Sequence, residues 1–195
     1  MIRRALLTID LTEAALEEAL NASGDLVVAY HPPIFAPLKR HVQRDAGQRT
    51  LLRAAAAGIA PWSPHTALDA MPGGVNDWML GLAGAVTGVA PITPRPDAPA
   101  TGPGRIARLR EPALLDALVA RFKQGLGLPS VRLARGADAP VSTLTVCPGA
   151  GGRLFEGVYA DLLVTGEMRR RSVLRWREQY TALWPRLRPG RSRRG

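Results

Sequence analysis

Four positions with the chemistry of metal binding or acid–base catalysis follow apolar runs of the 195-residue sequence. They are His31, the pair His65 and Asp69, the loop at 147–152, and Glu167. Short apolar runs predict buried strands, and in open α/β sheets ligands bind beyond the carboxyl ends of the strands. We therefore expect several of these side chains to converge on one cleft.

His31 and Asp69 supply one imidazole and one carboxylate, a mixed set that suits zinc, iron, manganese or nickel. His65 is close enough in sequence to bind the same ion or to hydrogen-bond to one of its ligands. The chain has three histidines and no HxH or HExxH pattern. A capping or structural role for these residues is therefore an equal alternative.

The glycine-rich loop at 147–152 can present backbone N–H groups to an anion, but it matches neither a Walker A loop nor GxGxxG. A tight turn that needs glycine is the favoured interpretation. Cys147 is the only cysteine, which excludes an intrachain disulfide framework and fits a reducing compartment. We expect it to be a small core residue rather than a nucleophile.

The spacing of apolar residues predicts the elements that must position these side chains. In the first half we expect strands at 5–9 and 26–30, a helix between them capped by Asp10 or Thr12, and a helix at 48–57. Ser63 and Pro64 are predicted to cap and open the next helix. In the second half, Glu111 and Pro112 are predicted to open a helix that runs to about Lys123, and strands are expected at 131–134 and 141–146.

Alternation of strands and helices predicts an α/β fold with parallel strands. A weak internal repeat relates 25–31 to 161–167, so we expect two related lobes, with mixed or parallel sheets flanked by helices. The predicted division is an N-terminal lobe at 1–88, a proline-rich linker at 89–104, a C-terminal lobe at 105–168 and an arginine-rich tail at 169–195.

The formal net charge of +10 is concentrated in that tail, which holds ten arginines and one acid, Glu178. The rest of the chain is close to neutral. A disordered, solvated tail is favoured over a nucleic-acid site, because no zinc or RNP motif accompanies the arginines. No apolar stretch approaches a bilayer span and no signal sequence is present, so we expect no membrane association. The expected compartment is the cytosol, with the mitochondrion and the nucleus as alternatives.

Four motif blocks occur in the order in which the Nif-three-like family has them. They are Asp10-Leu11-Thr12; Tyr30-His31-Pro32-Pro33-Ile34-Phe35 with Pro37-Leu38-Lys39; Ser63-Pro64-His65-Thr66-Ala67-Leu68-Asp69 with Gly73-Gly74-Val75-Asn76-Asp77; and Cys147-Pro148-Gly149-Ala150-Gly151-Gly152 with Thr165-Gly166-Glu167-Met168. The chain thus resembles this family, which is also called GTP cyclohydrolase I type 2-like or dinuclear metal centre protein.

The resemblance implies a two-lobed α/β fold, a ring-like homo-oligomer and a pair of divalent metal ions in the cleft between the lobes. It further implies that His31 and Asp69 are metal ligands, that His65 lies beside the metals, and that Glu167 lies near the cleft. We accordingly expect catalytic roles for His65 and Glu167.

The sequence departs from the family pattern in three places. Tyr30 stands where the first of two paired histidines is expected, arginines at 170 and 171 replace another histidine pair, and a later His-x-x-x-Glu segment is absent. The resemblance therefore implies a family member truncated at both ends, or a tail read out of frame. Two matched ligands cannot fill the coordination shells of two ions, so we expect weakly held metal.

Two functions remain open from the sequence. The first is a metal-dependent, hydrolase-like activity in which the ion activates a water molecule that His65 orients. The second is a non-enzymatic interaction or regulatory protein with a partner in transcriptional regulation, as the family name implies. Nucleic-acid binding through the tail is the least favoured reading.

Overall fold

The chain forms two units that divide between Ala67 and Leu68. The computed structural model describes residues 1–136, 139–149, 151–167 and 181–185. Within these ranges, none of the helices has the length and apolar character needed to cross a membrane.

The first unit is a three-stranded parallel sheet with two helices. Its elements are β1 (Ala5–Thr8), α1 (Glu13–Asn21), β2 (Leu26–Ala29), α2 (Ala46–Ala56) and β3 (Ala60–Trp62). The sheet order β1-β2-β3 follows the chain, because each helix carries the chain back to start the next parallel strand. The strands and helices predicted for this region are confirmed, with ends that differ by one or two residues.

Side-chain caps and a small apolar core explain why the first unit folds this way. Thr12 caps α1 by accepting a hydrogen bond from the N–H of Ala15 at 3.1 Å, and Asp45 caps α2 by accepting from Gln48 at 2.9 Å. The core packs the apolar stripe of each helix against the middle strand. Its fully buried members are Leu16, Ala19, Val27 and Ala54, with Ile59 almost fully buried.

The second unit is built on a six-stranded mixed sheet of order β4-β5-β7-β8-β9-β6. Its elements are α4 (Val75–Gly81), β4 (Val86–Ala90), β5 (Arg105–Ala113), α5 (Leu115–Gly125), β6 (Val131–Ala134), β7 (Val141–Cys147), a 3-10 helix (Gly151–Phe155), β8 (Leu162–Thr165) and β9 (Thr181–Pro185), while α3 (Thr66–Ala70) spans the division between the units. Strands β7, β8 and β9 are parallel, and the remaining pairs are antiparallel. The predicted α/β class with mixed and parallel sheets is confirmed.

The internal repeat in the sequence is a repeat in structure. Strands β1-β2-β3 and β7-β8-β9 are both parallel triplets, and an aspartate directly precedes the middle strand of each. Asp25 accepts hydrogen bonds from the backbone N–H groups of residues 3 and 4 at 2.7 and 3.0 Å. Asp161 accepts from those of residues 142 and 143, both at 2.8 Å. Each carboxylate therefore ties the start of the middle strand to the start of its neighbour.

The proline-rich stretch and the tail differ from their predicted roles. Residues 91–104 connect β4 to β5, two paired strands of one sheet, so this stretch lies inside the second unit. Residues 181–185, placed by the sequence in a disordered tail, form β9, which pairs with both β6 and β8. The apolar pair Ala182 and Leu183 is fully buried there, which explains why this part of the arginine-rich segment is ordered. The rest of the tail lies outside the described residues.

The helix predicted to open at Glu111 is wrong at its start. Glu111 and Pro112 belong to β5, and α5 begins at Leu115. Strand β5 alternates between buried and exposed residues from Arg105 to Arg110, and pairing with β4 and β7 overrides the helix-opening preference of proline. The pairing becomes irregular between Arg108 and Ala113, where proline has no N–H to donate.

A buried guanidinium organises the second unit. The Arg105 side chain is 2% exposed, and its Nε donates to Asp77 Oδ1 at 2.7 Å. The other two nitrogens donate to four backbone carbonyls, those of Ala70, Met71, Gly102 and Gly104, at 2.7–3.2 Å. The second carboxylate oxygen of Asp77 accepts from the N–H of Gly73 at 2.6 Å. One side chain thereby fixes the end of α3, the start of α4 and the end of the proline-rich connection.

Substituting Asp161 by asparagine is predicted to lower stability at neutral pH. Partial burial opposes ionisation of this carboxyl, but hydrogen bonds from residues 142 and 143 outweigh it and lower its pKa. The lowered pKa contributes stability that is fully present above the unfolded-state pKa of ~3.9 and is lost as the pH falls through the folded-state pKa. We expect a loss of about 1 kcal/mol at pH 7, allowing for solvent screening. Urea unfolding at pH 7 and pH 3 measures it; an equal deficit at both pH values would contradict the assignment.

Substituting Arg105 by methionine is predicted to destabilise the second unit strongly. The variant leaves the Asp77 carboxylate without its buried partner and strips a donor from four carbonyls, so we expect a loss of about 3–5 kcal/mol. Thermal unfolding followed by circular dichroism measures it. Arg95→Met is the control, because Arg95 pairs with Asp97 on the surface, and its unfolding midpoint should match the unsubstituted chain. Equal midpoints for both variants would refute the role of Arg105.

Candidate functional site

Three polar side chains follow the three parallel strands of the first unit. Asp10 lies just beyond β1, His31 just beyond β2, and His65 beyond β3. The N–H of His31 donates to the carbonyl of Ile9 at 2.9 Å, which extends the pairing of β1 and β2 past their ends. Because carboxyl ends of parallel strands share one sheet edge, these residues come together there, as the sequence predicted for such positions.

A carboxylate holds the His31 ring. Asp10 Oδ1 lies 2.9 Å from His31 Nδ1, and both side chains are more than half exposed. An ionised carboxylate can only accept a hydrogen bond, so the Nδ1 atom of His31 carries the imidazole proton and donates it to Asp10. The Nε2 atom then carries the free lone pair, the arrangement found in metal-binding histidines that donate their other N–H to a carboxylate.

The rings of Tyr30, His31 and His65 cluster together. The ring centroids of His31 and His65 are 6.2 Å apart, and the Tyr30 ring lies 5.2 Å from the former and 5.9 Å from the latter. All three contacts are edge-to-face. Ser63 Oγ donates to the carbonyl of Tyr30 at 3.0 Å, which joins the loop after β3 to the loop after β2. Two imidazoles are thus held close to one another.

His65 has an unusual backbone conformation. Its φ of 36° lies in the left-handed region, which non-glycine residues rarely adopt. The prediction that Ser63 caps the next helix and Pro64 opens it is wrong, because α3 begins at Thr66. The Ser63 hydroxyl instead donates a hydrogen bond to the carbonyl of Tyr30. Strained residues of this kind cluster at functional sites, where the surrounding structure enforces them.

The first unit offers fewer ligands than a pair of metal ions requires. Two imidazoles are available, and Asp10 is already engaged with one of them. Across the described ranges, no group of three or more His, Cys, Asp or Glu side chains is placed to hold an ion. Borderline metals in stable sites take three or four protein ligands, so two imidazoles would hold one ion only weakly and could not hold two.

Asp69 lies in α3 and belongs to the second unit. Its carbonyl accepts from Asn76 Nδ2 at 2.6 Å, and Asn76 is fully buried. A Cβ on Gly74 would lie 2.1 Å from the carbonyl of Leu68, so only glycine allows α4 to approach α3 this closely. These contacts explain the Gly73-to-Asp77 block as the frame that holds the end of α3.

The loop after β7 is a tight turn, in agreement with the favoured interpretation of its glycines. The carbonyl of Gly149 accepts from the N–H of Glu167 at 2.8 Å and from Thr165 Oγ1 at 3.3 Å. A Cβ on Gly166 would lie 2.4 Å from the Gly149 nitrogen. Gly149 itself has a φ of 70°. The turn thus requires glycine twice, and it leaves the Glu167 side chain exposed.

The structure groups the predicted site residues in two sets. His31 and His65 lie together in the first unit, whereas Asp69 and Glu167 belong to the second. Their roles as metal ligands or catalytic groups stay predictions. Sequence reasoning missed Asp10 as a member of the site, although it follows its strand in the same way as His31 follows the next one.

The parallel triplet repeated in two units, with polar residues at its carboxyl edge, defines a two-lobed α/β protein of the kind seen in several solved structures. A Bacillus cereus protein related to NIF3 superimposes with a TM-score of 0.75 at 19% identity, over 94% of this chain and 78% of that one. At this level of identity the likeness shows the fold.

The chain belongs to the Duf34/NIF3 (NGG1p interacting factor 3) family, whose family model matches residues 1–184. The NIF3 homolog of Schizosaccharomyces pombe is 44% identical over 177 residues, which cover 87% of this chain and 64% of that protein. NGG1-interacting factor 3 of Saccharomyces cerevisiae is 34% identical over 190 residues, which cover 90% of this chain and 66% of that protein. The chain thus spans about two thirds of the length of these relatives.

Cys147 is predicted to resist alkylation in the folded protein. The residue is 7% exposed. Burial, together with the negative charge of Asp69, raises its pKa to about 11, so little reactive thiolate forms at pH 8. We expect iodoacetamide to modify it more than tenfold faster in guanidinium chloride than in buffer, as measured by mass spectrometry. Equal rates would refute the burial and confirm a reactive thiol instead.

Proposed function

We propose that this NIF3-family chain binds one divalent metal ion weakly through His31 and His65 and has a hydrolase-like function. The observation that carries the proposal is the pair of imidazoles 6.2 Å apart, one of which has its Nδ1 hydrogen-bonded to a carboxylate. Zinc, iron, manganese and nickel all accept imidazole nitrogen, so the residues do not select among them.

Each residue has a distinct part in the proposed site. His31 donates the Nε2 lone pair, and Asp10 keeps the ring in the orientation and tautomer that make this possible. His65 supplies the second imidazole, held by its left-handed backbone. If His31 and His65 held a divalent ion, the ion would supply the Lewis-acid chemistry that activates water for hydrolysis at a phosphate or ring carbon.

Metal titration of single variants tests the proposal. We expect the unsubstituted chain to bind one zinc ion, and His31→Gln and His65→Asn to weaken binding at least tenfold, because each removes one of two ligands. Asparagine suits position 65, since it tolerates the left-handed conformation. Asp10→Asn should weaken binding about 10- to 100-fold through loss of the carboxylate partner. Isothermal titration calorimetry measures all of these.

His41→Gln is the matched control, because His41 is the remaining histidine and is exposed in the loop between β2 and α2. It should bind zinc as the unsubstituted chain does. Absence of zinc binding in the unsubstituted chain, or equal weakening by His41→Gln, would reject the site. Asp69→Asn in the same titration tests the carboxylate that the family resemblance predicts as a metal ligand. This residue lies in the second unit.

A non-enzymatic interaction protein is the second candidate. It is favoured by the name of the budding yeast relative, NGG1-interacting factor 3, and by the two-imidazole ligand set. Binding of an NGG1-type protein at equal affinity by the unsubstituted chain and by His31→Gln, in the presence of a chelator, would support this function over metal chemistry. Light scattering of the purified chain tests the predicted homo-oligomer separately.

A further inference from the structure

The backbone of Tyr30 joins the loops that carry the two imidazoles. The residue directly follows β2 and precedes His31. Its N–H donates to the carbonyl of Thr8 at the end of β1, at 2.9 Å, and its carbonyl accepts from Ser63 Oγ in the loop after β3, at 3.0 Å. The backbone is therefore bound on both sides, to the neighbouring strand and to the segment that leads to His65. This fixes the origin of the Tyr30 side chain relative to both histidines.

The ring of Tyr30 contacts both imidazoles. Its centroid lies 5.2 Å from that of His31 and 5.9 Å from that of His65, with interplanar angles of 65° and 70°. Rings at ~4.5–7 Å attract one another edge to face, because the positive edge of one meets the negative face of the other. Each contact therefore opposes rotation of an imidazole about its side-chain bonds.

The two imidazoles differ in what else holds them. Asp10 Oδ1 lies 2.9 Å from Nδ1 of His31, so a carboxylate orients that ring. By contrast, the His65 side chain forms no hydrogen bond or ion pair with the residues that the structure describes, and its ring contacts among them are with Tyr30 and His31. The φ of 36° at His65 is a property of the backbone and does not by itself orient the ring. The orientation of the second imidazole therefore depends on Tyr30 more than that of the first.

We propose that Tyr30 is a positioning residue whose ring orients His65 against His31. The role belongs to the aromatic ring and not to the hydroxyl, because the contacts that carry it are ring contacts. Its bearing on metal binding rests on the function proposed above. Two imidazoles that are oriented before an ion arrives bind it more tightly than two that rotate freely, since less conformational entropy is lost on binding. Tyr30 thus raises the affinity of the site without supplying a ligand.

A pair of substitutions separates the ring from the hydroxyl. Tyr30→Phe keeps the ring, and Tyr30→Leu removes it but keeps a bulky apolar side chain. Proton NMR of the metal-free protein in EDTA should show nuclear Overhauser effects between the His31 and His65 rings. We expect Tyr30→Phe to preserve these effects and Tyr30→Leu to weaken them at least threefold. Circular dichroism checks the folding of both variants, and Tyr30→Met replaces Tyr30→Leu if the latter does not fold.

Zinc titration by calorimetry, without EDTA, gives the second measurement. Tyr30→Phe should bind zinc within twofold of the unsubstituted chain, and Tyr30→Leu at least fivefold more weakly. Equal weakening by both variants would assign the effect to the hydroxyl and overturn the proposal. Unchanged Overhauser effects and zinc affinity in Tyr30→Leu would overturn it as well. If the unsubstituted chain binds no zinc, the proposed metal site fails, whereas the NMR comparison in EDTA still decides whether the Tyr30 ring orients His65.

Discussion

The pairing of parallel strands in both units depends on a carboxylate at the start of the middle strand. Asp25 and Asp161 each bind two consecutive N–H groups at the start of the neighbouring strand. This fixes the register at one end of the sheet, and the register decides which side chains emerge together at the other end. In the first unit those side chains are Asp10 and His31. A structural acid therefore sets the positions of two side chains six residues farther along, since His31 follows Asp25 by six residues and Asp10 follows residue 4 by six.

Local sequence patterns predict most of the strands and helices of the first unit, because these elements are short and the residues that determine them are close in sequence. The apolar stripe of α1, the cap at Thr12 and the apolar run of β2 all act within a few residues. The second unit depends on pairing between strands that are far apart in the sequence, and no local sequence pattern predicts such pairing. Glu111 and Pro112 signal a helix start, yet β5 pairs with β7, whose partner residues are about 35 positions away. The strand at Thr181–Pro185 was missed for the same reason, because arginines surround it in sequence whereas in space it pairs with the buried strand β8.

The candidate site was predicted in part. The rule that ligands bind beyond strand ends selected His31 and His65, and both lie at the expected edge. The same rule applies to Asp10, but its position before a helix made it an equally good cap, and only the structure shows that Thr12 takes that role.

The left-handed backbone at His65 has a consequence for how variation at this position should be interpreted. A side chain there must tolerate a positive φ, which costs most residues roughly 1–2 kcal/mol and β-branched residues more. Glycine, asparagine and aspartate are therefore the substitutes that the fold accepts most readily, whatever the chemistry requires. A narrow range of residues among relatives would reflect this backbone constraint as well as any role in binding.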